Sequence, residues 1–76
     1  MRLAFKIRPA RGETGFDLAC EEAFSGSVRH RRLMDAIVQA VHRGRGAGGE
    51  IQIFDSNGKI VDVLQLPDDT RVSLSS

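Results

Sequence analysis

Residues 50–54 and 59–66 are β-rich runs that flank the dipeptide Asn57-Gly58. Asn-Gly supplies the positive φ that a tight hairpin turn needs, so this feature commits the C-terminal half of the chain to an antiparallel ribbon. The loop length then sets the register. With a two-residue loop, Ile53 falls opposite Asp62, and a carboxylate enters the apolar face. A three-residue loop, Ser56-Asn57-Gly58 with Gly58 left-handed in a bulge, pairs Ile53 with Val61 and Ile51 with Val63 and sets Asp55 beside Lys59. We expect the three-residue loop. It leaves Phe54, Ile60 and Leu64 on the opposite face, beside Gln52 and Asp62.

At the N-terminal end, residues 2–8 alternate, with Leu3, Phe5 and Ile7 on one side and Arg2, Ala4, Lys6 and Arg8 on the other. That is the period of a half-buried strand. Pro9 and the turn-rich residues 11–15 reverse the chain. Residues 15–23 fit two periods. Read as a strand, they put Phe16, Leu18 and Cys20 on one face. Read as a helix, they put Phe16, Ala19, Cys20, Ala23 and Phe24 on one stripe, with Thr14 and Asp17 spaced as a capping box. We take the strand, because the first strand needs a partner and a short turn supplies one.

Residues 24–27, Phe-Ser-Gly-Ser, read as a break. From about residue 29 to residue 42 the helical period returns, with Leu33, Ala36, Ile37, Ala40 and Val41 on one stripe. The glycines of residues 44–49 end this helix near Arg43.

The whole chain is 76 residues with a formal net charge of +1, enough for one small domain over residues 1–66 and a tail over residues 67–76. The single cysteine, Cys20, excludes an internal disulfide, and no Cys/His cluster has zinc-ligand spacing. No apolar run approaches the roughly 20 residues of a membrane span. Lys6, Arg8 and Arg11 come before any apolar run of signal-peptide length, so a cytoplasmic protein is expected.

Chemistry-bearing motifs are sparse. Gly44, Gly46 and Gly49 have the spacing of a dinucleotide-binding fingerprint, but they follow a helix instead of opening one, so we read them as a helix stop. Cys20 reads as a small buried hydrophobe. His30 and His42 stand at opposite ends of the helix, about 18 Å apart at helical rise, too far to share a metal. The pairs Glu21-Glu22 and Asp68-Asp69 point apart and form no acid/base dyad. No catalytic residue, cofactor or metal is expected, and the protein reads as a non-enzyme.

The charge is clustered: residues 29–45 carry five arginines, Arg29, Arg31, Arg32, Arg43 and Arg45, against one acid, Asp35. Cations at a helix start oppose its dipole, and a bound phosphate relieves them. Asp17, Glu21 and Glu22 are alternative partners for these arginines, and no Tyr or Trp is present for base stacking.

The pieces Asp35-Ala36-Ile37, Ala40, residues 48–53 (Gly-Gly-Glu-Ile-Gln-Ile) and residues 57–60 (Asn-Gly-Lys-Ile) give the chain a resemblance to a family of small uncharacterised bacterial domains. These domains are laid out strand-strand-helix-strand-strand. The resemblance covers about a third of the chain. The N-terminal half departs from it: Phe16 to Cys20 stand where such domains have an aromatic-rich second strand, and the helix start lacks the usual Asp or Ser. It implies the fold and transfers no site, since the family has no assigned activity. A looser similarity to hairpin-then-helix antitoxin proteins implies a partner chain.

The expected fold is therefore α+β: a four-stranded antiparallel sheet in ββαββ order with one helix on one face. Its core is Leu3, Phe5, Ile7, Phe16, Leu18, Ile51, Ile53, Val61 and Val63. One helix covers one side of such a sheet, so Phe54, Ile60 and Leu64 are left as a candidate interface. The expected function is a protein-interaction module that self-associates or binds another protein. The alternative is nucleic-acid binding through the arginine cluster. No membrane partner is expected.

Overall fold

The computed structural model of the chain describes residues 2–66. Six elements follow in order: β1 (Leu3–Pro9), β2 (Phe16–Cys20), β3 (Phe24–His30), α1 (Leu33–Arg43), β4 (Gly49–Phe54) and β5 (Ile60–Leu66). The five strands form one mixed sheet in the order β3-β2-β1-β4-β5. The tail expected over residues 67–76 lies outside the described residues.

The four-stranded expectation fails at residues 24–27. They continue as β3, antiparallel to β2, with Phe16 opposite His30 and Leu18 opposite Val28. The Ser-Gly-Ser run hides the strand because β3 is an edge strand, exposed over its middle five residues, and carries little apolar alternation. A turn closed by Ala23 N–H donating to the Cys20 carbonyl at 3.0 Å joins it to β2. Residues 15–23 accordingly hold β2 and this turn, and the helical alternative is not adopted.

The extra strand reverses the direction of everything after it. With three strands instead of two before the helix, the chain leaves α1 running the same way as β1. β4 therefore pairs with β1 in parallel, Leu3 opposite Gly49 and Phe5 opposite Ile51. The intervening β2, β3 and α1 make up the long crossover that parallel neighbours require.

At the first parallel pair, Gly49 has φ 130°, and an added Cβ would overlap the Leu3 carbonyl oxygen and amide nitrogen. Only glycine fits there. The glycine run thus ends the helix and also lets β4 enter tight against β1.

α1 starts at Leu33, four residues later than the periodicity suggests. Arg29 and His30 are held in β3 by their cross-strand partners Asp17 and Phe16. Arg32 takes the N-cap position in an extended conformation with no side-chain cap. At the other end, Gly44 N–H donates to the Ala40 carbonyl at 2.9 Å.

The core joins Leu3, Phe5, Ile7, Leu18, Cys20, Ala36, Ala40, Ile51, Ile53 and Leu66. Phe16, Phe24, Leu33, Ile37, Ala47 and Leu64 pack against it. α1 lies over β1, β2 and β3, placing Ala36 and Ala40 on the sheet, where small side chains allow close approach.

Val61 and Val63 do not belong to this core: they are 59% and 41% exposed. The expected loop is present, because Asp55 N–H donates to the Lys59 carbonyl at 2.8 Å and Gly58 has φ 85°. A bulge between Ile53 and Phe54 then shifts the ladder, so that Phe54 faces Ile60 while Ile53 faces Asp62 and Ile51 faces Leu64. One extra residue on β5 exchanges its faces. Leu64 and Leu66 turn to the core, and Leu64 leaves the expected interface.

Candidate interaction surfaces

The sheet face opposite α1 is built from the alternate residues of each strand. Parallel pairing of β1 with β4 brings Arg8 and Phe54 together on it, with the guanidinium carbon 4.5 Å from the ring centroid. β2 and β3 contribute Asp17 and Arg29, directly opposed. Arg29 Nε donates to Asp17 Oδ1 at 2.6 Å, and Arg29 Nη1 lies 3.5 Å from Glu13. The Asp17 contact, foremost, raises the Arg29 pKa from its ordinary value. Between the β1–β2 and β4–β5 hairpin tips lies a concavity of 520 Å³ lined by Arg8, Arg11, Asp17, Ser27 and Asp55 among others. Its Asp55 is occupied: Oδ1 accepts the N–H groups of Asn57 at 2.8 Å and Lys59 at 2.9 Å, holding the hairpin loop.

β5 exposes three apolar side chains beside Asp62 and Gln65. Ile60 is 50% exposed, beside the exposed Val61 and Val63, and β5 is the last strand of the sheet. Of the expected interface residues, Phe54 and Ile60 are opposed at the bulge, and Leu64 packs against the core. Val63 N–H donates to Asp62 Oδ1 at 2.8 Å. That donor is already engaged, and a strand added alongside would also meet the carboxylate, a common way of blunting a sheet edge.

The five arginines do not share one environment. Arg29 belongs to β3 and is ion-paired. Arg31 and Arg32 are exposed between β3 and α1. Arg43 lies in the last helical turn with its guanidinium 4.9 Å from the Phe24 ring centroid. Arg45 is exposed beyond the helix. The eleven-residue α1 separates the two exposed groups, by about 16 Å at helical rise.

A second apolar surface was not legible as such in the sequence. Met34 and Val38 on α1 are 62% and 59% exposed, and Val41, expected in the buried stripe, joins them. The signal was present as the i, i+4, i+7 spacing of Met34, Val38 and Val41. It was obscured because apolar residues surround α1 on more than one side.

Cys20 is buried, and its thiol donates to Glu22 Oε1 at 3.3 Å. Burial, and then this hydrogen bond, pushes the Cys20 thiol up from its ordinary 9.0, the opposite of nucleophile activation. Glu22 is lowered from its ordinary 4.5 by its own backbone N–H first, then by the Cys20 thiol and the Ala4 N–H. His30 and His42 do not bracket the helix as expected, since His30 ends β3. Its Nε2 is buried with no hydrogen-bond partner among the described residues.

Among the described residues there is no cluster of three His, Cys, Asp or Glu side chains placed to hold a metal ion. No described helix is long and apolar enough to cross a membrane. Compared with known proteins, the chain matches no family model, no curated protein and no solved structure.

Proposed function

We propose that this chain is a non-enzymatic protein-interaction module that self-associates through the β5 side of the sheet. The observation that carries the reading is the exposure of Ile60, Val61 and Val63 together on an edge strand. They continue onto Phe54 of the neighbouring strand. Contiguous apolar surface of this kind on a small domain is the usual mark of an interface. The Asp62 carboxylate on the edge favours contact through the face over addition of a strand. The non-enzymatic part is supported by the occupied state of the polar groups: Asp17, Asp55 and Glu22 already accept hydrogen bonds, and Cys20 is buried.

The resemblance to small strand-strand-helix-strand-strand domains enters here as a proposal. The residues that carry it are Asp35 to Ile37 on α1, Glu50 to Ile53 on β4 and Asn57-Gly58 between β4 and β5. β3 and the parallel pairing of β1 with β4 depart from a strand-strand-helix-strand-strand layout.

The test is sedimentation velocity of the wild type and of the double variant Val61→Asp/Val63→Asp from low to high micromolar concentration. A wild-type dimer and a folded, monomeric variant are expected. A wild-type monomer throughout the range overturns the reading.

The nucleic-acid alternative keeps one observation in its favour: Arg31, Arg32 and Arg45 are exposed and form no ion pair among the described residues. Arg29 is spent on Asp17, which makes this the second reading. Titration with DNA and RNA at two salt concentrations decides it, since phosphate contacts release counterions and weaken steeply with salt.

A further inference from the structure

Met34, Val38 and Val41 form an exposed apolar line on α1, on the side away from Ala36 and Ala40. At its C-terminal end the line opens into a groove of 230 Å³ lined by Ile37, Val38, Val41, His42 and Arg45. Cations stand at both ends, Arg31 and Arg32 before the helix and Arg45 beyond its close, with Asp35 the only acid on α1. None of these arginines has an ion-pair partner among the described residues.

A second copy of the chain is a poor occupant. Two α1 helices packed antiparallel about Val38 set Arg31 of each against Arg45 of the other, and two packed in parallel set like ends together. Either way cation meets cation as the line is buried, which costs several-fold in affinity or more once water is excluded. The complementary occupant carries apolar anchors at helical spacing and acids at both ends.

We infer that the outer face of α1 docks an acidic amphipathic helical segment of a partner protein, its anchors against Met34, Val38 and Val41 and its carboxylates on Arg31, Arg32 and Arg45. This is helix-in-face recognition, with apolar contact supplying affinity and charge setting the choice of partner. The surface is separate from the β5 side, so the two readings stand or fall independently.

The probe is a four-turn synthetic helix with Leu at i, i+3, i+4 and i+7 and Glu at both ends, compared with the same peptide carrying Lys for Glu. Each is titrated into the full-length chain by calorimetry and by methyl NMR.

The Glu peptide is expected to bind at least tenfold more tightly than the Lys peptide and to shift the Val38 and Val41 methyls. Salt weakens it. Val38→Asp abolishes binding with the urea midpoint unchanged, and Arg31→Glu/Arg45→Glu inverts the preference between peptides. Equal affinity for both peptides, no binding of either, or shifts confined to β5 overturns the inference. So does a concentration-dependent shift of the same methyls without peptide, which marks a second copy. Shifts of the Val38 and Val41 methyls in Asp68→Asn/Asp69→Asn without any peptide also overturn it, since they make residues 67–76 the native occupant.

Discussion

The Arg8 guanidinium lies over the Phe54 ring, 4.5 Å from its centroid, on the sheet face opposite the helix. The contact depends on the parallel pairing of β1 with β4, which sets Ile7 opposite Ile53 and so brings the next residue of each strand side by side. It shields part of an aromatic ring that the sheet leaves without a covering helix.

A double-mutant cycle with Arg8→Ala and Phe54→Leu measures this contact. Cation–π pairs near water contribute about 0.5–1 kcal/mol, and urea unfolding is expected to show a coupling of that size. Coupling indistinguishable from zero means the contact contributes nothing to stability.

The bulge at the start of β5 makes a sharp distinction among its side chains. Leu66→Ala removes a core side chain and is expected to cost about 2–4 kcal/mol, whereas Val61→Ala changes stability by about 0.5 kcal/mol or less. Equilibrium urea unfolding of the two variants checks the register directly, because the unbulged pairing predicts the reverse order.

Gly49 and Gly58 both have positive φ, at 130° and 85°, but only Gly49 has a neighbouring strand where a Cβ would go. Gly58→Ala is expected to cost about 1 kcal/mol from the left-handed backbone alone. Gly49→Ala forces β1 and β4 apart and is expected to cost about 3 kcal/mol or more, in the range of core overpacking. Thermal and urea unfolding rank the two, and equal effects contradict the close approach at Leu3.

Cys20 and Glu22 share one hydrogen bond and respond to pH in opposite ranges. The folded thiol keeps its proton above its ordinary 9.0. Its contribution to stability is therefore complete below pH 9 and is lost as pH rises toward the raised value. The Glu22 carboxyl is depressed below 4.5, so its contribution is complete above that pH and is lost as pH falls through the lowered value. Cys20→Ala should flatten the alkaline limb of the stability profile and Glu22→Gln part of the acid limb. A thiol reagent at pH 8 should modify Cys20 rapidly only in denaturant.

Arg29 and Asp17 are held at 2.6 Å on the surface. Solvent and salt screen an exposed pair of this kind, so Arg29→Ala is expected to leave the fold intact and serves as a control in nucleic-acid titrations. A drop in phosphate affinity equal to that of Arg31→Ala/Arg32→Ala would show that Arg29 leaves Asp17 to bind.

What the residues alone determined was local. The alternation of Leu3, Phe5 and Ile7, the helical stripe of Leu33, Ala36, Ile37 and Ala40, and the turn at Asn57-Gly58 each act within a few residues, where backbone geometry and side-chain period decide the outcome. The burial of Cys20 followed in the same way. Tertiary structure decided everything set by neighbours distant in sequence. β3 exists because the exposed edge of β2 offers a ladder that residues 24–30 can complete even with little apolar alternation. That one added strand turned the β1–β4 pairing from antiparallel to parallel and drew Arg29 out of the helix onto Asp17. The bulge at β5 exchanged Val61 and Val63 for Leu64 and Leu66 in the core, because a single unpaired residue reverses which face every later side chain meets. The candidate surfaces on β5 and α1 are what those pairings left uncovered.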